Sequence, residues 1–406
     1  MANQCKYYKV VRQVSYDSGV TWVNIGETRK GDLYEYNSPA CGAVTEYRWV
    51  DVTGQYTCDG TTKYQKTKRQ YSEDGGQTWY DVTPAEYGKG DVIEYDSTDC
   101  GGGCEDNYLT FEAVDGGTFK FSGNSISYSL DNGSTWTTLA SDTNSPTVQA
   151  GNNIMWKGNL TQTSGSIGRF SSTGRFSVKG NIMSLLYGDN YASNLYIDDN
   201  STNVFGSMFR DCTGLVNAGC LILPINTAFY CYFRMFEGCS SLTTTPKLTA
   251  NRYKARFYAY AYMFAGCSSI TTAPAIPPYS EFEEGSFYGM FSNCTSLVTA
   301  PALPSTNLSE WCYAAMFQGC TALTTAPELP ATAPSWGSYA YMFKNCTSLN
   351  YIKCLATNLT FIGQPDATVD WVSGVASSGT FVKNASMNSW TRGNDGIPTN
   401  WTIQNA

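Results

Sequence analysis

Met290-Phe291-Ser-Asn-Cys294-Thr-Ser-Leu297-Val-Thr-Ala-Pro301-Ala-Leu303-Pro304 is one copy of a unit that this chain repeats, and Met316-Phe317-Gln-Gly-Cys320-Thr-Ala-Leu323-Thr-Thr-Ala-Pro327-Glu-Leu329-Pro330 is the next. A Met-Phe pair marks six units, at Met208, Met235, Met263, Met290, Met316 and Met342. Each Met is followed four residues later by Cys and seven later by Leu or Ile, and is preceded three residues earlier by Phe or Tyr. Offsets of −3, 0 and +4 lie on one face of a helix, so each unit reads as a short helical turn, followed by an extended Thr-Thr-Ala-Pro stretch. Pro246, Pro274, Pro301 and Pro327 remove ladder donors, which keeps that stretch short. One unit cannot bury its aromatic, Met, Phe, Cys and Leu positions alone, whereas stacked units form a continuous core. The expectation is a solenoid of six coils whose core holds Met235, Phe236, Cys239, Met263, Phe264, Cys267, Met290, Phe291, Cys294, Met316, Phe317 and Cys320.

Upstream, other patterns divide the chain. Arg12-Gln13 recurs at Arg69-Gln70, and Cys41-Gly42 at Cys100-Gly101, so residues 1–56 and 57–106 read as two small β modules in tandem. Residues 107–203 alternate apolar and polar residues, as in Ile126-Ser-Tyr-Ser-Leu130, between Gly and Asn turns, and read as a further β domain. The repeats occupy 204–354. Residues 355–406 lose the period but hold Trp371, Trp390 and Trp401, as expected of a cap on the last coil.

Composition narrows the function. The 406 residues include 42% hydrophobic and only 15% charged residues, with a net charge of −8, so a basic face for nucleic acid is not expected. There is no histidine, which removes Ser-His-Asp and Cys-His catalysis and His-containing zinc sites. No cofactor, metal or catalytic residue is expected. The first residues carry no apolar signal segment and no long apolar run occurs, so neither classical export nor membrane insertion is expected. The six equally placed cysteines contribute one thiol per coil with no CxxC, which favours buried packing over a metal array. Cys100 with Cys104, Cys5 with Cys41 and Cys58 with Cys100 are left as candidate disulfides or weak metal sites.

One motif occurs three times, 57 residues apart: Ser15-x-Asp17-x-Gly19-x-Thr-Trp22, Ser72-x-Asp74-x-Gly76-x-Thr-Trp79 and Ser129-x-Asp131-x-Gly133-x-Thr-Trp136. It resembles the Asp-box of sialidases and other β-propeller glycosidases. Physically it is a hairpin corner in which Asp accepts N–H bonds, Gly supplies a positive φ and Trp packs beneath. In that family the box is structural. A propeller needs several four-stranded blades, and the roughly 200 residues before the repeats cannot supply them, so an Asp-box glycosidase is the least favoured reading.

Aromatic residues off the expected core face are the ligand-binding candidates: Tyr230, Tyr258, Tyr262, Trp311, Trp336 and Tyr341, which could stack on sugar rings or make protein contacts. The cluster Arg252, Lys254 and Arg256 reads as a solvated loop face.

The unit quoted at the outset closely resembles the BspA-like leucine-rich repeats of Bacteroidales surface proteins and of their phages, including crAss-like phage tail and fibre proteins. For residues 204–354 that resemblance implies a role in adhesion rather than catalysis; with the segments read above, the expected fold is all-β N-terminal modules followed by an α/β leucine-rich-repeat solenoid with a C-terminal cap. A cell-surface adhesin needs a leader, whereas a virion protein is released by lysis. The favoured expectation is therefore a structural protein at the virion surface, a tail or head fibre or another receptor-binding appendage. Its N-terminal modules would attach to other virion proteins and its repeats would bind host surface glycan or protein. The alternative is a bacterial cell-surface adhesin. A homo-oligomer is compatible with either, and no heptad pattern supports a trimer.

Overall fold

In the computed structural model the described residues are the strands of residues 5–94 together with 78–82 and Cys104, and residues 106–406 apart from 162–164, 249–253, 278, 280 and 360–365. Within residues 1–104, side chains are described at 47–50, 67–72, 78–82 and Cys104. The chain forms two compact units, Met1–Cys104 and Glu105–Ala406.

The first unit contains β1 (Cys5–Val14), β2 (Val23–Asn24), β3 (Arg29–Tyr36), β4 (Glu46–Asp59), β5 (Thr62–Ser72), β6 (Tyr80–Asp81) and β7 (Tyr87–Glu94). All seven belong to one sheet with the path β2-β1-β4-β5-β6, β3 pairing with β1 and β7 with β5. The stretches read as modules 1–56 and 57–106 therefore share a sheet, and β4 runs across the junction between them. The central β1–β4 pairing is parallel.

The second unit begins with β8 (Leu109–Ala113), β9 (Phe119–Gly123), β10 (Ile126–Ser129), β11 (Thr137–Leu139), β12 (Asn153–Lys157), β13 (Gly168–Ser172) and β14 (Phe176–Asn181). The helix α1 (Ser184–Tyr187), a 3-10 turn over Gly188–Ser193 and β15 (Leu215–Ile222) follow. Six of these strands make a sheet in the order β11-β10-β12-β8-β14-β15, while β9 pairs with β13. Aromatic residues supply its core. Phe111 is fully buried, and the rings of Phe170, Phe176 and Phe119 lie 4.8, 5.0 and 5.3 Å from it. Because β15 belongs to the first repeat and pairs in parallel with β14, sheet and repeats share one continuous hydrophobic core.

The α/β leucine-rich-repeat solenoid expected from the sequence is not what the chain forms. Among the described residues the repeats contain no helix; the only α-helix is the four-residue α1 upstream of them. The remainder is β-structure in several small sheets joined by turns. In the repeat around Met235, the N–H groups of Phe233, Met235, Glu237 and Cys239 each bond the carbonyl three residues back, at 2.9 to 3.2 Å. The alternate N–H groups, of Tyr230, Tyr232, Arg234, Phe236 and Gly238, bond carbonyls of the next repeat at 2.8 to 3.0 Å. Each repeat is thus a chain of β-turns that ladders onto its successor.

A positive φ at every fourth residue makes this possible. Tyr230 (53°), Arg234 (58°) and Gly238 (75°) have it in one repeat, and Gly285 (61°), Gly289 (59°) and Asn293 (60°) in another. Side chains consequently point two in and two out. Cys231-Tyr232, Met235-Phe236 and Cys239 are buried, whereas Phe233-Arg234 and Glu237-Gly238 are partly exposed. That period of four reproduces the −3, 0, +4 pattern, which is why the sequence looks helical.

The inward columns stack in register. Phe209, Phe236, Phe264, Phe291, Phe317 and Phe343 follow one another at 5.4 to 5.9 Å with interplanar angles of 4 to 9°. Between the first and last repeats, the described extended parts pair through isolated bridges, such as Thr272↔Thr299 and Thr325↔Tyr351, and through the two-residue strands β16 (Lys254–Ala255) and β17 (Glu281–Phe282). After the last Met-Phe unit, Phe343 donates to Trp371 O, and Asp370 and Gly374 keep positive φ, so one further row of turns carries Trp371 where the others carry Met. The strands β18 (Tyr351–Cys354), β19 (Thr380–Lys383) and β20 (Thr402–Asn405) form a parallel sheet beside it.

Candidate functional site

The outward columns hold the aromatic residues that the sequence marks as ligand candidates. Tyr230, Tyr258 and Trp311 sit five residues before their Met, and Tyr262 and Tyr341 one before it. All five adopt φ between 48° and 58°. This left-handed region suits Gly and Asn, and for other L-residues it costs roughly 1–2 kcal/mol. Where the same columns carry Gly285, Gly289 and Gly337, a Cβ would lie 2.4 to 2.7 Å from the rings of Tyr258, Tyr262 and Trp311 respectively. Each of those rings therefore leans onto the bare backbone of the next repeat.

These contacts join into a ridge. Tyr230 stacks on Tyr258 at 5.5 Å and 18°; Tyr258 stacks on Tyr288 at 6.0 Å; Tyr288 reaches Tyr262 at 5.3 Å and Trp311 at 6.5 Å; Trp311 meets Trp336 edge-on at 5.2 Å. Tyr341 has no ring partner among the described residues, but Lys344 Nζ lies 5.4 Å from its centroid. Since Tyr258 is covered by Tyr230 on one side and by Gly285 on the other, it presents an edge and a hydroxyl, not a face. Burial pushes Tyr258 and Tyr288 up to about 12, so both hydroxyls remain protonated donors at neutral pH. Trp336 is the most open of the six candidates, at 40% exposure.

Phe229, Phe233, Phe257 and Tyr288 complete the ridge and were not singled out from the sequence. Phe257 lies 4.8 Å from Tyr258, and Phe233 lies 6.2 Å from Tyr262. Their signal is the column six or two residues before Met, legible once the period of four is known. Cations bracket the same band: Arg234 lies 5.1 Å from the Tyr262 centroid and Arg256 lies 4.4 Å from that of Phe229. Arg256 and Lys254 also pair with Glu283 and Glu281, at 3.1 and 2.8 Å, while Arg252 lies outside the described residues.

The inward cysteines are hydrogen-bonded as well as packed. Sγ of Cys239, Cys267, Cys294, Cys320 and Cys346 donates to the Phe carbonyl of the preceding repeat, at 2.9 to 3.1 Å. Burial raises these thiols, Cys294 and Cys346 to about 12. Cys104 and Cys220 each take part in a disulfide, and Cys100, the candidate partner of Cys104, lies outside the described residues. The candidate pairs of Cys5 with Cys41 and of Cys58 with Cys100 lie outside the described side chains. Among the described residues no group of three or more His, Cys, Asp or Glu could hold a metal ion, and no helix is long and apolar enough to cross a membrane.

Of the three Asp-boxes, Asp17, Gly19 and Trp22, and Asp74 with Gly76, lie outside the described residues. The third is a hairpin corner between β10 and β11. Asp131 accepts from Thr135 N–H at 2.8 Å and Ser129 Oγ at 2.7 Å, and Gly133 turns with φ 87°. Those bonds, led by Thr135, hold the Asp131 carboxyl down at about 2. Trp136 packs against Tyr108 at 4.8 Å and carries Lys157 Nζ 4.3 Å from its centroid. In the first unit Trp79 likewise carries Arg48, at 4.2 Å. Arg48 is opposite Gln70 and Lys157 opposite Ser127, each two residues before the Ser of its box, so the two boxes share a cation-on-Trp arrangement.

No family model matches the sequence, and neither a curated protein nor a solved structure matches it.

Proposed function

We propose that the chain is a structural protein of a virion surface, a tail or head fibre or another receptor-binding appendage, that touches the host cell through the aromatic ridge of its repeats. The first unit would attach to other virion proteins. The observation that carries this reading is the set of bulky side chains on left-handed backbone. Tyr230, Tyr258, Tyr262, Trp311 and Tyr341 occupy positions where Gly285, Gly289 and Gly337 satisfy the same turn without strain. A stacked ring returns about 0.5–1.5 kcal/mol beyond the area it buries, and the left-handed conformation takes roughly 1–2 kcal/mol from that gain. The turn itself does not require rings in these columns, since Ser207, Arg234, Ala315 and Gly289 fill one of them, whereas a contact surface favours them. Tyrosine and tryptophan, held rigidly and flanked by arginine, are the side chains that dominate binding surfaces. The resemblance of the Met290 and Met316 units to BspA-like repeats of Bacteroidales surface proteins and their phages supports the same role.

Two measurements test it. Mass spectrometry of purified particles should find the chain at the level of a structural protein; its absence overturns the virion assignment. Pure full-length chain added to host cells should compete with particles for adsorption, and chain carrying Tyr262→Gly with Trp336→Ala should compete far less. Equal competition would overturn the ridge as the contact surface.

A further inference from the structure

A second site lies away from the ridge, beside the third Asp-box. A cavity of about 570 Å³ opens between the β10–β11 hairpin, the segment after β12 and the turn that follows α1. Thr138, Ser127 and Lys157 make its floor, because the pairing of β11, β10 and β12 sets them in one row across three strands. Asn159 and Leu160 form one wall, Tyr187 and Asn190 the other. Among the described residues no side chain of Ser127, Thr138, Asn159 or Asn190 hydrogen-bonds within the protein.

One ion pair sits in the cavity wall and is held by a third group. Lys157 Nζ bonds Asp189 Oδ1 at 2.7 Å, and Tyr108 OH donates to the same oxygen at 2.8 Å. Trp136 of the Asp-box lies under that lysine. Both donors use Oδ1, so Asp189 Oδ2 is left as an oriented acceptor on a carboxylate that is 65% exposed. These donors, led by Lys157, keep Asp189 below the usual carboxylate range and therefore ionised at neutral pH. In the first unit the corresponding Arg48 instead bonds Gln70 within the sheet, at 2.7 Å.

We propose that this cavity binds a neutral hexopyranoside or N-acetylhexosaminide unit. Its charge is internally cancelled, which disfavours an ionic ligand. Its free groups are amides and hydroxyls beside one preoriented carboxylate oxygen, the complement of a ring of hydroxyls. Tyr187, partly exposed, lines the cavity and is the aromatic side chain placed to meet the C–H face of a sugar. The volume falls within the range of small-molecule sites, and the fixed Asp189 lowers the ordering cost of binding.

Saturation-transfer NMR on the full chain tests this with methyl glycosides of glucose, galactose, mannose and N-acetylglucosamine, and with N-acetylneuraminic acid as a charged comparator. At least one neutral glycoside should receive saturation. Asp189→Ala should weaken that binding at least about tenfold, the loss expected for a charged hydrogen bond. Asn190→Ala, whose side chain supports nothing in the fold, should also weaken it and decides the matter if Asp189→Ala fails to fold. Trp336→Ala should leave it unchanged, which separates this site from the ridge. Binding of no neutral glycoside, binding of N-acetylneuraminic acid alone, or binding that survives Asn190→Ala and is lost in Trp336→Ala would overturn the proposal.

Discussion

The inward and outward sides of the repeats are built on the same turns, yet they are filled differently. Inside, every repeat supplies Phe after Met, and Cys four residues after Met. Outside, one column reads Asn203, Tyr230, Tyr258, Gly285, Trp311, Gly337, and another Ser207, Arg234, Tyr262, Gly289, Ala315, Tyr341. The backbone is held constant by the ladder between repeats, so the variation outside is not a demand of the fold. Packing fixes the inner columns because each ring from Phe236 to Phe317 has a neighbour at 5.4 to 5.9 Å both above and below it. The outer columns tolerate anything from Gly to Trp and are free to be shaped by what they touch.

The largest effect on the inner side should come from alkali, beginning about one pH unit below the range in which the outer Tyr258 and Tyr288 lose their protons. The buried thiols of Cys294, Cys312, Cys346 and Cys354 are raised from 9 to about 12 by burial. A raised pKa means that the native state holds the proton longer than the unfolded chain. Stability is therefore fully present below pH 9 and is lost as pH rises from 9 towards 12. Denaturant unfolding measured from pH 7 to 11 should show a plateau followed by a steep fall. A flat profile through pH 11 would mean that these thiols are not buried as described. At pH 8 a thiol reagent should leave all five hydrogen-bonded cysteines of the repeats unmodified until the chain unfolds.

Next in size is the core itself. Phe291→Ala removes a ring from the middle of the stack and should cost about 3–5 kcal/mol by core precedent. Chemical denaturation reads it directly, and an unchanged midpoint would place the column outside the core.

A smaller effect tests how the two sides are geared. Gly285→Ala puts a Cβ 2.4 Å from the Tyr258 ring at φ +61°, so it should cost about 1–3 kcal/mol through strain and overpacking together. In a Tyr258→Gly background the clash is absent and only the backbone component remains. A double-mutant cycle should therefore give a coupling of roughly 1 kcal/mol; zero coupling would mean that the ring does not rest on Gly285.

Much of this was legible in the sequence, and the exception has a definite cause. The period, the inward set of Met, Phe and Cys, and the outward position of Tyr230, Tyr258, Tyr262 and Trp311 follow from spacing alone. The backbone that carries them does not. A stripe at −3, 0 and +4 suits a helix of 3.6 residues and a string of turns with a period of four equally well. What separates them is the glycine placement. Gly285, Gly289 and Asn293 stand four apart within one repeat, a spacing that weakens a helix and suits repeated left-handed turns. The cavity beside Asp189 was not legible at all. Its parts come from β10, β11, β12 and the turn after α1, and only strand pairing brings Thr138, Ser127 and Lys157 into a row.

The smallest expected change in stability is the most informative about the outer side. Trp336 is 40% exposed and among the described residues its ring meets Trp311 alone, edge-on. Trp336→Ala should therefore shift stability by no more than about 1 kcal/mol, as an exposed aromatic pair would. In the same protein, competition for adsorption should fall several-fold, because a half-open tryptophan flanked by a second one has the form of an interface anchor. Phe291→Ala should do the opposite at a temperature where it stays folded, losing stability while competing normally. If both variants lost stability and adsorption in proportion, the outer columns would be an extension of the core and the two sides would not be independent. If Trp336→Ala changed neither, the contact surface would have to lie on another face of the repeats, such as the threonine row at Thr272 and Thr299.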